Sequence, residues 1–201
     1  MNKAFFDKLR AGIMGPKLDD DEVSGTTAIL EAMAGLPTSW VAYALATAWH
    51  ETAHTMQPIK EHGGPKYFFR MYDPYGERPV LAKRNGNIHR GDGVKFCGRG
   101  YVQLTWRTNY ERAGKLLDVD LVNDPDLAMN KDIAALIMRH GMKAGWFTGK
   151  AFSNYLPSDG AATRAQFQAA RRIINGVDKS DLIAGYALAF QTALNAGEWE
   201  E

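Results

Sequence analysis

The chain is poor in cysteine: Cys97 is the only one among 201 residues. No disulfide can close within it, so nothing in its composition calls for an oxidising compartment. Between Phe96 and Gly98, the thiol reads as a small buried hydrophobe rather than as a nucleophile. Long apolar runs are lacking too. The longest, Trp40 to Trp49, is about half of the ~20 residues that a membrane helix needs, so membrane insertion is not expected. The opening stretch MNKAFFDKLR is broken by charge at Asp7, Lys8 and Arg10 and lacks the apolar core of roughly 7–15 residues that a secretory signal carries. No excess of one charge exists: 24 Lys and Arg face 23 Asp and Glu, and no run of five or six like charges is available to bind nucleic acid or an acidic membrane surface. Internal repeats, low-complexity tracts and flexible linkers are also missing.

What is present suffices for a core. Hydrophobic residues make up 45% of the chain and aromatics 11%, which predicts a single domain over 1–201, folding alone and acting as a monomer. Apolar residues recur at helical spacing in six segments. One runs about 19–35, with an acidic first turn and Gly35-Leu36-Pro37 as its stop. The next opens at Thr38 or Ser39 as N-cap and must end by Pro58, whose ring cannot continue a helix, so Glu51 falls in its last turns. Further helices are predicted at 106–117, at 131–146 after an Asn130 cap, at 163–174 ended by Asn175-Gly176, and at 180–195 after Ser180. The predicted fold class is therefore mainly α. The stretch at about 59–105 is dense in glycine and proline and carries Tyr67, Phe68, Phe69, Tyr72 and Tyr75. Irregular stretches of this length are commonly functional or conceal short strands, and this one is the expected substrate-facing part.

The helix ending near Pro58 carries His50-Glu51-Thr52-Ala53-His54, the H-E-x-x-H spacing that binds zinc in many metalloproteases by presenting two imidazoles on one helical face. A zinc-dependent peptidase or amidase is thus one reading. It needs a third ligand, and the downstream positions where one is expected hold Gln57 and Lys60; Glu77, the acidic residue at about the right distance, lies in a glycine- and proline-rich stretch without helical pattern. The other reading pairs Glu51 with Glu61. Glycoside hydrolysis uses one protonated carboxyl as acid and one ionised carboxyl as nucleophile or as base toward water. Ten residues of unbroken helix would set the two about 15 Å apart, too far for either role. Pro58 ends the helix and lets the chain fold back.

A third element is Phe96-Cys97-Gly98-Arg99-Gly100-Tyr101-Val102-Gln103-Leu104-Thr105, followed by Trp106 and then Asn109-Tyr110. Alternation predicts an extended segment with Val102 and Leu104 toward the core and Gln103 and Thr105 toward a cleft. Thr105 can equally serve as N-cap of the next helix, and Gln103 can satisfy buried backbone groups. This segment resembles the F-x-G-R-G-x-x-Q-L-T signature and following N-Y of glycoside hydrolase family 19, which contains chitinases and phage endolysins. His50-Glu51-Thr52 resembles that family's catalytic helix end, Glu61 its second acid, and Ile173-Ile174-Asn175-Gly176 its late Asn-Gly turn. Together these positions span about 38–195 in the family's order.

The resemblance implies a lysozyme-like, mainly helical fold of two lobes, with a small irregular or short-strand lobe beside the catalytic cleft. It implies an inverting mechanism in which Glu51 is the general acid, Glu61 the base and Thr105 the holder of the attacking water. Gln103, Asn109 and Asn175 would hydrogen-bond the sugar, and Arg99 completes the substrate-binding set. No metal or cofactor is implied, and His50 and His54 become supports of the acid. Division of labour between the carboxyls asks for a drier Glu51 and a wetter Glu61. Many members pair the catalytic carboxylates with an arginine early in the last helix; Leu182 to Tyr186 offers none, so Arg99, Arg171 and Arg172 are the candidates for that charge. Tyr67 and Tyr72 suit sugar stacking and local core equally. The wording of Gly145-Trp146-Phe147-Thr148-Gly149 looks closer to phage endolysins than to plant chitinases. The expected partner is therefore bacterial cell-wall peptidoglycan, cut by an enzyme made in the host cytoplasm, with chitin as the alternative polymer on the same scaffold.

Overall fold

The computed structural model describes residues 2–200; Met1 and Glu201, the outermost positions of the expected domain, lie outside them. In chain order the elements are α1 (Lys3–Ala11), α2 (Asp20–Ala32), α3 (Thr38–Glu51), β1 (Ile59–Lys60), α4 (Pro65–Tyr72), α5 (Pro79–Arg84), α6 (Asp92–Lys95), β2 (Arg99–Gly100), α7 (Arg107–Leu117), α8 (Lys131–Ala144), α9 (Arg164–Ala170) and α10 (Ser180–Ala196). Short 3-10 stretches lie at Pro125–Met129, Phe152–Asn154 and Arg171–Ile173. The protein is mainly α, as its periodicity predicts, and no helix among the described residues is long and apolar enough to cross a membrane. Two compact units are present. One takes the chain up to Gln57 together with the part from Met138 onward, and the other is Pro58–Ile137.

The first unit is organised around α3. Val41, Ala42, Tyr43, Ala44, Leu45, Ala46 and Ala48 are fully buried, so this helix is apolar on every side and has protein on every side. Its many alanines permit close helix approach, and α10 is packed along it, with α1 and α9 against α10 in turn. At the start of α2, Asp19 and Glu22 form a capping box: the Glu22 amide donates to the Asp19 carboxylate at 2.7 Å and the Asp19 amide to the Glu22 carboxylate at 2.9 Å. The expected Thr38 or Ser39 cap of α3 is not found. Pro37 holds the cap position, both hydroxyl residues are buried, and Ser39 Oγ donates to the Pro157 carbonyl at 2.9 Å instead. A tertiary acceptor has replaced the local one.

The end of α3 also differs from its predicted cause. The helix stops at Glu51, well before Pro58, because Ala53, His54 and Met56 turn into the left-handed region with φ of 52°, 72° and 53°. Thr52 fastens the turn, its hydroxyl donating to the Ala48 carbonyl at 2.8 Å and accepting from the Met56 amide at 3.0 Å. Gly25 makes room for it, since a Cβ at that position would stand 1.7 Å from the Met56 carbonyl oxygen.

In the second unit the irregular stretch resolves into three short helices and one strand pair. β1 and β2 run antiparallel, with Ile59 opposite Gly100 and Lys60 opposite Arg99. The predicted extended run at 102–105 is a correction: the chain reverses after Gly100, Gln103 has φ of 53°, and Leu104 returns to bond Arg99 at 2.8 and 3.1 Å. The alternation of burial survives without the strand, because Val102 and Leu104 are buried while Gln103 and Thr105 are part-exposed. Cys97 is fully buried, and burial pushes its thiol above the ordinary value. Asn130 caps α8 as predicted, accepting from the amides of Asp132 and Ile133.

Two buried aspartates fasten this unit. Asp92 accepts from the amides of Ile88 and His89, both at 2.9 Å, and pairs with Arg107. Burial works against its charge, but the Arg107 hydrogen bond and the two amides prevail and hold the carboxyl below its ordinary value of 3.8. The sign follows. A carboxyl lowered by folding stabilises the protein above that ordinary value and loses the contribution as pH falls through the folded value. Asp92→Ala leaves Arg107 and two amides without their acceptor; it should cost about 3–5 kcal/mol and lower Tm on the order of 10 °C at pH 7, read by calorimetry.

Candidate active-site residues

Glu51 is the last residue of α3, and its side chain is 21% exposed. Arg171 Nη1 donates to its Oε1 at 2.7 Å. That arginine is 3% exposed and opens the 3-10 stretch after α9; its Nε donates to the Asp178 carbonyl at 3.0 Å. Of the three arginines that sequence offers as charge partner, Arg171 is the one that takes Glu51. The Gly145–Gly149 turn assists: Thr148 Oγ1 donates to the carbonyls of Arg172 at 2.6 Å and Ile173 at 3.1 Å, fixing the backbone that carries Arg171. Asn175 is exposed, four residues on, with its amide donating to the Arg171 carbonyl at 2.9 Å.

The histidines do not form the arrangement the zinc reading needs. His50 is helical, but His54 lies beyond the helix end at φ of 72°, so the two imidazoles do not share a helical face. His54 stacks on Trp49 with centroids 4.6 Å apart, and its Nε2 lies 3.3 Å from the Tyr186 hydroxyl. Among the described residues no group of three or more His, Cys, Asp or Glu is placed to hold a metal ion. Burial holds the His50 imidazole below its ordinary value of 6.5; Arg171 and His54 push the same way, and Glu51 and Asp178 oppose.

Glu61 directly follows β1, and both its oxygens are engaged. Its Oε1 accepts from the Tyr72 hydroxyl at 2.7 Å, and its Oε2 accepts from the Gly98 amide at 3.1 Å, while its own amide donates to the Gly98 carbonyl at 2.9 Å. The absence of a side chain at Gly98 leaves room for this clasp. A Cβ there would meet Gln103 Oε1 at 2.8 Å and Glu61 Oε2 at 3.2 Å. Gln103 Nε2 donates to the carbonyls of Ile59 at 3.0 Å and Gly100 at 3.3 Å, tying its turn to β1. Thr105 is not the N-cap of α7; Trp106 holds that position, Thr105 Oγ1 donates to the Gln103 carbonyl at 2.8 Å, and Asn109 Nδ2 donates to the Thr105 carbonyl at 2.9 Å. Trp106 stands edge-on to Tyr72 at 5.0 Å.

Arg99 is placed inside the unit rather than on its surface. It is 3% exposed, with Nε on Asp126 at 2.7 Å and Nη1 on the Cys97 and Lys95 carbonyls and the Tyr110 hydroxyl. Its evident work is to hold β2 and the Gly98 loop. Tyr72 had been legible only as a stacking or core residue; eleven residues separate it from Glu61, and no local pattern marks a tyrosine as the donor to a distant carboxylate. Burial and the Glu61 contact together push its hydroxyl far above the ordinary value, so it remains a proton donor at every working pH.

A glutamate ending a buried helix against an arginine, and a second one clasped by a glycine-rich turn, are carried on a mainly α fold. The profile of glycoside hydrolase family 19, chitinase class I, matches residues 39–193, and the chain belongs to that family. Basic endochitinase B of Arabidopsis thaliana is 44% identical over 43 residues, which is 21% of this chain and 13% of that protein's own length. Chitinase C of Streptomyces griseus superposes with a TM-score of 0.61 at 18% identity, covering 98% of this chain and 78% of that one. A bacterial family 19 chitinase superposes with a TM-score of 0.55 at 23% identity, covering 96% and 94%. The likeness establishes the lysozyme-like fold of the family. These three are plant and bacterial chitinases, and the narrower likeness to phage endolysins finds no support among them.

Because His50 is held below its ordinary value, the unfolded chain takes up a proton near pH 6.5 that the native state refuses, and stability falls as pH drops through that region. His50→Gln removes this component, so Tm should decline less between pH 7 and 5 than in the parent. Equal slopes in scans at matched ionic strength would contradict it.

Proposed function

We propose that this protein hydrolyses β-1,4 bonds between N-acetylated hexosamines with inversion, Glu51 serving as acid and Glu61 as base. The observation that carries this reading is the clasp on Glu61: the turn bearing the family signature supplies the Gly98 amide to one oxygen while Tyr72 fixes the other. A base so held presents its remaining lone pairs in one direction. In the proposed reaction Glu51 protonates the leaving glycosidic oxygen, and Glu61 takes a proton from the water that attacks the anomeric carbon from the opposite face. Thr105 spends its hydroxyl proton on the Gln103 carbonyl, leaving its lone pairs to accept from that water. Asn109 commits its amide N–H to Thr105 and keeps its carbonyl oxygen for an N-acetyl group, and the exposed Asn175 serves the sugar beside Arg171. Arg99 acts through β2, as a positioning residue.

Chitin is the polymer named by the relatives and the first substrate to test. Peptidoglycan shares the β-1,4-linked N-acetylglucosamine unit, and the endolysin-like wording of the Gly145–Gly149 turn, now seen to brace Arg171, favours it as the second. Reducing-end release from chitin oligosaccharides and from purified peptidoglycan ranks the two directly.

Glu51→Gln and Glu61→Gln should each lower kcat by several orders of magnitude; Tm should change little in Glu61→Gln but fall in Glu51→Gln, which leaves the buried Arg171 charge without its partner, and activity should persist in a chelator. Near-parental turnover by either variant would refute the pair, and collapse in chelator would restore a metal. Tyr72→Phe keeps the ring on Trp106 but removes the donor to Glu61; kcat should fall roughly 10–100-fold with KM nearly unchanged.

A further inference from the structure

Residues 74–91 form a loop whose base is buried and whose outer surface is amphipathic and cationic. One carboxylate gathers its two ends: Asp73 Oδ1 accepts from the Tyr75 amide at 3.1 Å, and Oδ2 accepts from the amides of Gly91 at 2.8 Å and Gly93 at 3.4 Å. Asn87, fully buried, fastens the middle by donating to the Tyr72 carbonyl at 2.9 Å and accepting from the Arg107 amide at 2.9 Å. Asp73 and Asp92 are consumed in this base, so neither carboxylate reaches the exterior. Within 74–91 the cations Arg78, Lys83, Arg84 and Arg90 are all exposed, against one exposed acid, Glu77. Arg90 lies over the Phe69 ring at 5.4 Å.

The apolar half of the surface is as pronounced. Tyr75 is 64% exposed, Val80 80%, Leu81 39% and Ile88 53%, so four of the seven exposed large hydrophobics among the described residues fall between Tyr75 and Ile88. α5 explains the grouping. Ala82 is its one buried residue, and at about 100° per residue Val80 and Arg84 then lie together on the outward ridge, with Leu81 and Lys83 on either flank. A hydrophobic side chain on the outermost ridge of a small helix, beside two cations, costs solvation in every state in which it faces water.

We propose that this loop docks the protein on an anionic lipid surface as a peripheral contact, without a membrane-crossing element. Charge complementarity supplies the attraction, four cations toward headgroup phosphates, and the interleaved Val80, Leu81, Ile88 and Tyr75 supply a shallow apolar contact at the acyl boundary. The apolar residues are what select lipid over an acidic glycan, which would satisfy the cations and leave Val80 in water. No linear run of charge announces this surface, because its cations are spaced along the chain and gathered by the fold. The inference is independent of the roles given to Glu51 and Glu61.

The test is co-sedimentation of the whole protein with vesicles of 30% phosphatidylglycerol in phosphatidylcholine, and with pure phosphatidylcholine, at physiological salt. Binding to the anionic vesicles alone is expected. Lys83→Glu/Arg84→Glu and, separately, Val80→Ser/Leu81→Ser should each weaken it by about tenfold or more, while hydrolysis of soluble chitin oligosaccharides and Tm stay at parental values. A charge-matched control, Lys8→Glu/Lys150→Glu, alters exposed cations of the other unit and should bind as the parent does. No vesicle binding, or an equal loss in the control, overturns the proposal. A parental affinity in Val80→Ser/Leu81→Ser, together with equal binding to soluble polyglutamate, overturns it in favour of a general polyanion surface.

Discussion

A carboxylate intended for proton transfer has to be aimed, and in the second unit the aim of Glu61 depends on one missing side chain. Gly98 gives an amide to Glu61 Oε2 and a carbonyl to the Glu61 amide, so the residue is held by main chain at both its backbone and its tip. Any Cβ at Gly98 would push against Glu61 and Gln103 together. The rest of the unit makes that close approach permanent. β1 and β2 set the register, Gln103 ties the turn to Ile59, and the buried Arg99 binds the carbonyls of Lys95 and Cys97 on the approach to Gly98. Four weak restraints in series would let the tip wander, but these converge from different directions on one short loop.

Glu51 is held by a different device, a charge partner rather than an amide clasp. Arg171 is nearly inaccessible to water, and placing a guanidinium there is unfavourable unless its donors are met. The Glu51 carboxylate and the Asp178 carbonyl meet them. The pair joins residues 120 apart in the chain, so it can form only once α3 and the segment after α9 have packed. Thr148 makes the arrangement reproducible by fixing the carbonyls of Arg172 and Ile173. A short motif that looks like punctuation is in this way part of the support of a glutamate far from it in sequence.

Legibility in the sequence followed the range of the interaction. Helices α2, α3, α7, α8, α9 and α10 were readable because periodicity and local caps belong to neighbours in the chain, and Asn130 was placed as a cap for the same reason. The Thr38 or Ser39 cap was misjudged because burial offered Ser39 a carbonyl 118 residues away. α5 and α6 are too short for a periodic signal, whereas α1 and α4 are amphipathic and were missed despite that pattern, α4 because the glycines and prolines around it mask the helix. Val102 to Thr105 showed the alternation of a strand, yet a tight turn also sends successive side chains to opposite sides. Glu51, Glu61 and Gln103 were legible as chemistry; Tyr72 as the donor to Glu61 was not, since that bond exists only after α4 has folded.

Backbone strain marks the same places. Among the described residues eight non-glycine residues have positive φ, and five of them, Ala53, His54, Met56, Gln103 and Trp106, follow closely on Glu51 or on β2. Each left-handed residue costs roughly 1–2 kcal/mol, and such conformations persist only where surrounding contacts over-determine them. Here those contacts can be named. Thr52 and Gly25 hold the turn after α3, while the Gln103 amide bonds and the Trp106 ring on Tyr72 hold the turn after β2. A relaxed chain would continue α3 past Glu51 and extend β2 beyond Gly100, taking the Met56 amide from Thr52 and the Gln103 side chain from Ile59. The strain is therefore the thermodynamic counterpart of the site: stability given up in two turns so that a helix end and a strand end each present one carboxyl in a fixed direction.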